Sequence, residues 1–523
     1  MQTPPDSVPG QPLAAPAAPS PPVGQDSTVS TFCPRDRRHL VLIAAILASA
    51  LGFIDGSVVS VAMPAIRADL GASLADAQWI SNAYALALSA LILVGGGAGD
   101  RFGLRRTFIA GIIVFVLASM ICAFVPTAST LILARGFQGI GAALMIPGSL
   151  AIIAKAYPKG ERGRAIGIWA AASALTTAIG PVIGGAVLSV FGDSAWRMIF
   201  AINLPLGAIA VFLLTRVPDD PPGARKRLDF GGAALAIIAF GALAWGLTAV
   251  VAESGSATPG RAIGAIVAGL AALVVFVVYE LRVKAPMVNL TLFSILPFAG
   301  ANAATFVLYF ALSANMFYLP MLLIAGWDIA PATAGFLFIP LSASLALLSG
   351  PVGRLSDRLG PRLPITLGSA VVGCAFAGLA VIVGAGLHLF WEAVFPMMIV
   401  MGLGMALVVS PLSTAVMTSV EDADTGAASG INNAISRIAG LVAVAAMGSL
   451  AAFVYAAMLG GDAGAIPGFG EPASGLPADG EAMRVAAGDA AFAAIAWTIA
   501  ACCFLSALLA WTTQTALRPA EAR

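Results

Sequence analysis

Along most of its length the chain alternates long apolar runs with short polar connections. Fourteen runs reach the roughly 20 residues that a helix needs to cross a bilayer; they begin near residues 38, 78, 106, 128, 162, 196, 229, 260, 296, 332, 361, 388, 426 and 490. Hydrocarbon offers no water to backbone N–H and C=O groups, so each run is predicted to be a helix that satisfies its own backbone. The predicted class is therefore all-α integral membrane. Composition agrees, because 59% hydrophobic residues, 10% charged residues and a mean hydropathy of +0.95 are incompatible with a water-facing surface.

Basic residues in short loops stay on the cytoplasmic side. With the N-terminus inside, 21 of the 27 Lys and Arg fall in cytoplasmic segments and four outside, namely Arg67, Arg197, Arg261 and Arg484. Arg135 and Arg437 lie within runs, and an even number of crossings returns the C-terminus to the cytoplasm. Residues 1–37, rich in Pro, Ala and Ser at their start, read as a disordered cytoplasmic tail without a cleavable signal, and 518–523 as a second tail. Residues 457–488, rich in Gly, Pro and Asp, read as the one long external loop. Cys122, Cys374, Cys502 and Cys503 sit inside apolar runs without metal-ligand spacing, as small packing residues do.

One short basic turn occurs twice. Gly96-Gly97-Ala98-Gly99-Asp100-Arg101-Phe102-Gly103-Leu104-Arg105 and Gly353-Arg354-Leu355-Ser356-Asp357-Arg358-Leu359-Gly360-Pro361-Arg362 share the pattern Gly-x-x-x-Asp-Arg-x-Gly-x-Arg, 257 residues apart. The repeat implies two homologous bundles in tandem, an architecture that lets a central site face either side in turn. At about 30 residues per span and connection, that spacing holds eight spans rather than six. The chain therefore divides into a six-helix bundle at 38–216, a linker with two inserted helices at 217–285, and a second six-helix bundle at 286–517.

Further motifs carry a resemblance. The first run holds Phe53-Ile54-Asp55-Gly56-Ser57-Val58-Val59-Ser60-Val61-Ala62-Met63-Pro64, and the second Gln78, Trp79 and Tyr84. The fourth holds Arg135-Gly136-Phe137-Gln138-Gly139-Ile140-Gly141, the fifth Gly180-Pro181-Val182-Ile183-Gly184-Gly185, and Trp196-Arg197 and Asn203-Leu204-Pro205 follow. Together these resemble the fourteen-helix drug:proton antiporter branch of the major facilitator superfamily over most of residues 38–455. The resemblance implies a rocker-switch antiporter that exports small amphipathic molecules such as drugs or antibiotics across the inner membrane as protons enter. It implies a monomer, with periplasmic partners in some relatives. The chain departs from the pattern at Leu104, where a further cation is usual, and in lacking a carboxylate central to the last six runs.

Residue chemistry gives these motifs roles. A carboxylate deep in a membrane helix is costly and marks function: burial favours a protonated Asp55, and a nearby Arg135 favours its anion, so a pair that opens and closes would carry protons. Gly180, Pro181, Gly184 and Gly185 combine small-residue packing with a kink at an interface between the bundles. Asp100 and Asp357 sit where each would cap a helix or pair with Arg101, Arg105, Arg358 or Arg362, so with Gly96, Gly103 and Gly360 these turns form a candidate conformational latch. Gln78, Asn82 and Ser89 fall within about 40° on one helix face, as do Asn302, Phe306 and Tyr309. With Gln138, Asn433 and Arg437 they are the candidate substrate cavity, where Arg437 would draw an anionic or zwitterionic molecule.

No Gly-x-x-x-x-Gly-Lys-Ser/Thr sequence occurs, so ATP is not the expected energy source. His39 and His388 lie far apart at run ends, and no nucleophile or ligand cluster is apparent, so no enzyme activity, metal, cofactor or nucleic-acid partner is expected; the partners are a small molecule, protons and lipid. Export of an endogenous metabolite, proton-coupled import and a non-transporting sensor are the alternatives.

Overall fold

The computed structural model describes residues 31–220, 228–252, 259–421, 424–460, 466–473 and 475–514. Among them are fourteen helices long and apolar enough to cross a membrane. Spans 1–6 are Arg35–Leu70, Leu74–Phe102, Leu104–Phe124, Ala128–Ala156, Gly160–Phe191 and Asp193–Thr215. Spans 7 and 8 are Phe230–Val250 and Gly260–Arg282. Spans 9–14 are Leu296–Gly326, Pro331–Leu359, Arg362–Gly384, Phe390–Thr418, Thr425–Leu459 and Ala478–Thr513. No strand occurs among the described residues. Spans 1 and 14 bring the chain in and out at one face, the terminal face; the opposite one is the far face.

Lipid tails are as apolar as leucine, so close backbone approach and buried polar bonds, rather than hydrophobicity, hold such helices together. Small residues supply that approach. A methyl group on Gly95 of span 2 would strike the Ala143 carbonyl of span 4, and one on Gly141 would strike the Phe115 backbone of span 3. Spans 7 and 8 pack on each other around Gly246 and Gly269. They lean on the seam between the bundles, with Ala236 against Ala90 of span 2, Ala244 against Leu441 and Ala445 of span 13, and the Ser449 hydroxyl donating to the Leu247 carbonyl.

Where spans 5 and 10 approach the far face they interlock. The methyl that Gly185 lacks would lie on the Pro331 carbonyl, and that of Gly335 would lie 2.6 Å from the Pro181 carbonyl oxygen. Ser189 Oγ accepts from Ala332 N at 3.2 Å. Toward the terminal face the same two helices part, and Gly163, Gly167 and Gly350 look onto open space. At this seam the two bundles are in contact at the far face and apart at the terminal face.

Three segments differ from the sequence reading. Span 14 starts at Ala478, ahead of the apolar run near 490, because Asp479 and Glu481 in its first turn complement the helix dipole. The external loop is correspondingly shorter and its described part is packed. Phe469 is 2% exposed, Tyr455 Oη donates to the Pro467 carbonyl at 2.7 Å, and Arg67 Nη1 donates to the Phe469 carbonyl at 2.6 Å. At the N-terminus, residues 31–37 belong to the bundle rather than a tail: Cys33 is fully buried and Arg37 Nη1 donates to the Arg216 carbonyl at 2.9 Å. Residues 1–30 and 518–523 lie outside the described residues.

Candidate functional site

Asp55, Arg135 and Gln138, from spans 1 and 4, form one closed network. The Asp55 carboxylate accepts from Arg135 Nη1 at 2.5 Å and from Gln138 Nε2 at 2.9 Å. Arg135 Nη1 also donates to Gln138 Oε1 at 2.7 Å, and its Nε donates to the Ile80 carbonyl at 3.1 Å. The guanidinium stacks over the Tyr84 ring at 4.4 Å, with Phe200 at 5.8 Å. Asp55 is 1% exposed and Arg135 2%. Two charges so far from water are tolerable only as a hydrogen-bonded pair, and losing either partner costs about 3–5 kcal/mol. Gly56, the next residue, is exposed and has no neighbour within 4 Å of where a side chain would begin. Gln138, expected in the cavity, instead stands one helical turn from Arg135 and completes its pairing.

The first basic turn also finds partners that the sequence did not indicate. Gly103 joins spans 2 and 3 with φ of 97°, a left-handed conformation that favours glycine. The free N–H groups of Leu104 and Arg105 that begin span 3 both donate to Asp220 at 2.9 Å, and Lys155 Nζ donates to it at 2.8 Å. Arg105 pairs with Asp219, and Arg106 Nη2 reaches the same carboxylate at 2.7 Å. Hydrogen bonds from Arg106 and Arg105 hold the Asp219 carboxyl below the ordinary carboxylate range. Burial opposes the charge of Asp220, but bonds from Lys155 and the two backbone N–H groups prevail and lower its carboxyl too. The expected pairing within the turns is not present: Asp100 and Asp357 are exposed and form no ion pair among the described residues, since Arg105 is turned toward Asp219 and Arg362 lies over the Trp511 ring at 3.7 Å. Arg101 lies over Phe102, Arg358 is exposed, Gly96 sits near Pro147, and Gly360 repeats the left-handed turn at φ of 78°.

Span 5 is placed by its small residues. Gly180 meets Ile54 at ordinary contact distance and Gly184 admits Val58, both of span 1, while Pro181 and Gly185 face span 10. Span 5 thus touches the helix that carries Asp55 and the opposite bundle at once.

The expected cavity residues divide. Tyr309 and Asn433 line a cavity of about 190 Å³ with Ser413, Ser429, Asn432 and Ser436, in the terminal-face half of spans 9, 12 and 13. Arg437 follows Asn433 by one helical turn; it makes no hydrogen bond or ion pair among the described residues, and its Nε is buried. Gln78 and Asn302 do not line this cavity because neighbouring helices use their amides. Gln78 Nε2 donates to Tyr318 Oη at 3.0 Å and the Val444 carbonyl at 3.3 Å, and Asn302 Oδ1 accepts from Asn432 Nδ2 at 3.1 Å. Asn82 is fully buried, and Phe306 packs on Phe310.

Comparison with known proteins adds to this geometry. Residues 45–444 match the profile of the Major Facilitator Superfamily. The chain is 32% identical over 427 residues to Multidrug resistance protein Stp of Mycobacterium tuberculosis, covering 80% of this chain and 77% of that protein. It is 28% identical over 423 residues to the Tetracenomycin C resistance and export protein of Streptomyces glaucescens, again covering 80% and 77%. The Methylenomycin A resistance protein of Bacillus subtilis is 32% identical over 411 residues, covering 78% and 87%. Among solved structures, a bacterial homolog to the human lysosomal transporter Spinster superposes with a TM-score of 0.66 at 17% identity, covering 93% of this chain and 100% of that one.

Proposed function

The chain belongs to the Major Facilitator Superfamily, and from that premise we propose that it is a proton-coupled antiporter that exports small amphipathic molecules, such as drugs or antibiotics, across the cell membrane. The observation that carries the reading is the Asp55–Arg135–Gln138 network, a carboxylate and a guanidinium buried together inside the first bundle. A proton on Asp55 removes the negative partner of Arg135. The freed guanidinium must then find another acceptor, because an unpaired charge in this environment is expensive, and the helix contacts that depend on the pair are renegotiated. Substrate entering from the open terminal face meets Tyr309, Asn433 and the unpaired Arg437. We place the terminal face on the cytoplasmic side, since the sequence reading assigns 21 of the 27 basic residues to that side. The protein works as a monomer in the inner membrane.

The test is efflux from proteoliposomes. One proton moving down one pH unit and 100 mV supplies about 3.7 kcal/mol, which sustains a gradient of a neutral substrate of roughly 500-fold. Asp55→Asn is expected to lose that accumulation while still equilibrating substrate; a variant that accumulates as well as the wild type refutes the assignment. The relatives named for resistance to and export of one antibiotic favour a narrow substrate range as a second reading. Growth inhibition across a panel of unrelated compounds separates the two, since a narrow exporter protects against one chemical class.

A further inference from the structure

The inserted helices carry a pair of acids that the transport scheme does not use. Asp229 immediately precedes span 7 and Glu280 stands near the end of span 8, so the hairpin brings them together at the terminal face. Asp229 Oδ1 accepts from Gly232 N at 2.8 Å and from Tyr279 Oη at 3.0 Å. Glu280 Oε2 accepts from Val288 N at 2.9 Å. Glu280 is 3% exposed. The two remaining oxygens, Asp229 Oδ2 and Glu280 Oε1, are buried and have no donor. They converge on the space above Gly232, where a methyl group would lie against Glu280 Oε1 and 2.9 Å from Asp229 Oδ2.

Two carboxylate oxygens do not rest against each other out of water while both groups are ionised; one proton between them turns the repulsion into a hydrogen bond. No Lys or Arg among the described residues pairs with either acid. Among the described residues Tyr279 is the further titratable group in contact, through its bond to Asp229. Apolar side chains pack around the hairpin, namely Ala90 of span 2, Ala236 of span 7, Phe276 of span 8, and Met287 and Val288 of the following segment, while Asp100 and Arg101 at the terminal-face end of span 2 are exposed. Arg282 and Lys284 are exposed. The asymmetry of the pair favours a proton on Glu280 rather than on Asp229. Asp229 has two donors and lies at the N-terminus of span 7, where the helix dipole favours an anion. Glu280 has one donor and lies near the C-terminus of span 8, where the dipole disfavours one.

We propose that Asp229 and Glu280 form a second proton-binding site, in which Glu280 is a carboxylic acid at neutral pH and its O–H donates to the Asp229 carboxylate. Because Glu280 also holds Val288 N, the site ties the inserted pair to the segment that leads into span 9. Ionising Glu280 sets two negative charges against each other and loosens that tie.

Infrared spectra of the purified full chain in lipid, recorded as pH is raised, test this. The expected result is a protonated-carboxyl band at neutral pH that disappears on alkalinisation. It is lost in Glu280→Gln, lost or weakened in Asp229→Asn, whose amide donates to Glu280 and lets it ionise, and retained in Asp55→Asn. Hydrogen exchange over residues 283–289 is expected to rise across the same pH range in the wild type and to stay flat in Glu280→Gln, whose amide N–H replaces the lost donor. A wild-type spectrum without such a band, or a band that persists unchanged in both Glu280→Gln and Asp229→Asn, overturns the proposal. Unchanged exchange through the titration overturns the tie.

Discussion

Replacing Gly335 with alanine adds a single methyl group where spans 5 and 10 interlock. That carbon would lie 2.6 Å from the Pro181 carbonyl oxygen, 2.8 Å from Val182 Cα and 2.9 Å from the Pro181 carbonyl carbon. All three are backbone atoms, so no side-chain rotation relieves the clash. Restoring carbon separations of about 3.5 Å requires the helices to move apart by roughly 0.7 Å, and overpacking of this kind costs about 1–3 kcal/mol. The whole cost falls on the conformation closed at the far face, because opening that face breaks the contact anyway. The equilibrium should therefore move toward the far-face-open form by a factor of roughly 5 to 150. Cysteines at Ser189 and Ala332, adjacent in this conformation, report the shift by cross-linking in a background whose native cysteines are replaced. Gly335→Ala is expected to lower the cross-linking yield and to slow the return to the terminal-face-open state. A yield and transport rate equal to those of the glycine protein would show that the interlock does not hold the far face shut.

Two further outcomes follow from the ends of the bundle. The carboxyls of Asp219 and Asp220 titrate below the ordinary value of about 3.9, so the clamp on the first basic turn is fully formed above that value and is lost as pH falls through the lowered one. Thermal unfolding in detergent should thus be insensitive to this clamp between pH 5 and 8, with an acid limb below pH 4 that is reduced in Asp220→Asn; an unchanged limb contradicts the assignment. At the far face, Arg67→Met strands the buried carbonyls of Ala72 and Phe469, at about 1–3 kcal/mol for each donor lost. Limited proteolysis within 466–473 should accelerate, and an unaltered cleavage rate would contradict the docking role of Arg67.

Much of this was legible in the chain because hydrocarbon is an exacting solvent. Fourteen apolar runs must be fourteen helices when no other backbone satisfies itself in lipid, and Asp55 and Arg135, costly alone, were identifiable as partners before their distance was known. What escaped the sequence were contacts set by helix packing between distant segments. Asp219 and Asp220 lie more than a hundred positions from the turn they hold. Nothing in the periodicity of span 2 distinguishes Gln78 facing a cavity from Gln78 bonded to Tyr318 and Val444, since both place an amide on an inward face. Glu280 ends an apolar run and reads as a surface charge until the fold lays Asp229 and Val288 over it. The start of span 14 lies outside the apolar pattern for another reason: its first turn is acidic and is favoured by the helix dipole, which a hydropathy pattern does not register.

On the proposed mechanism Asp55 exchanges its proton as substrate comes and goes. Proton release from purified wild-type protein in weakly buffered detergent, triggered by saturating transported compound, tests it most directly. Close to one proton is expected to be released per substrate bound, and none from Asp55→Asn. Substrate binding without proton release in the wild type, or equal release from both proteins, would contradict it.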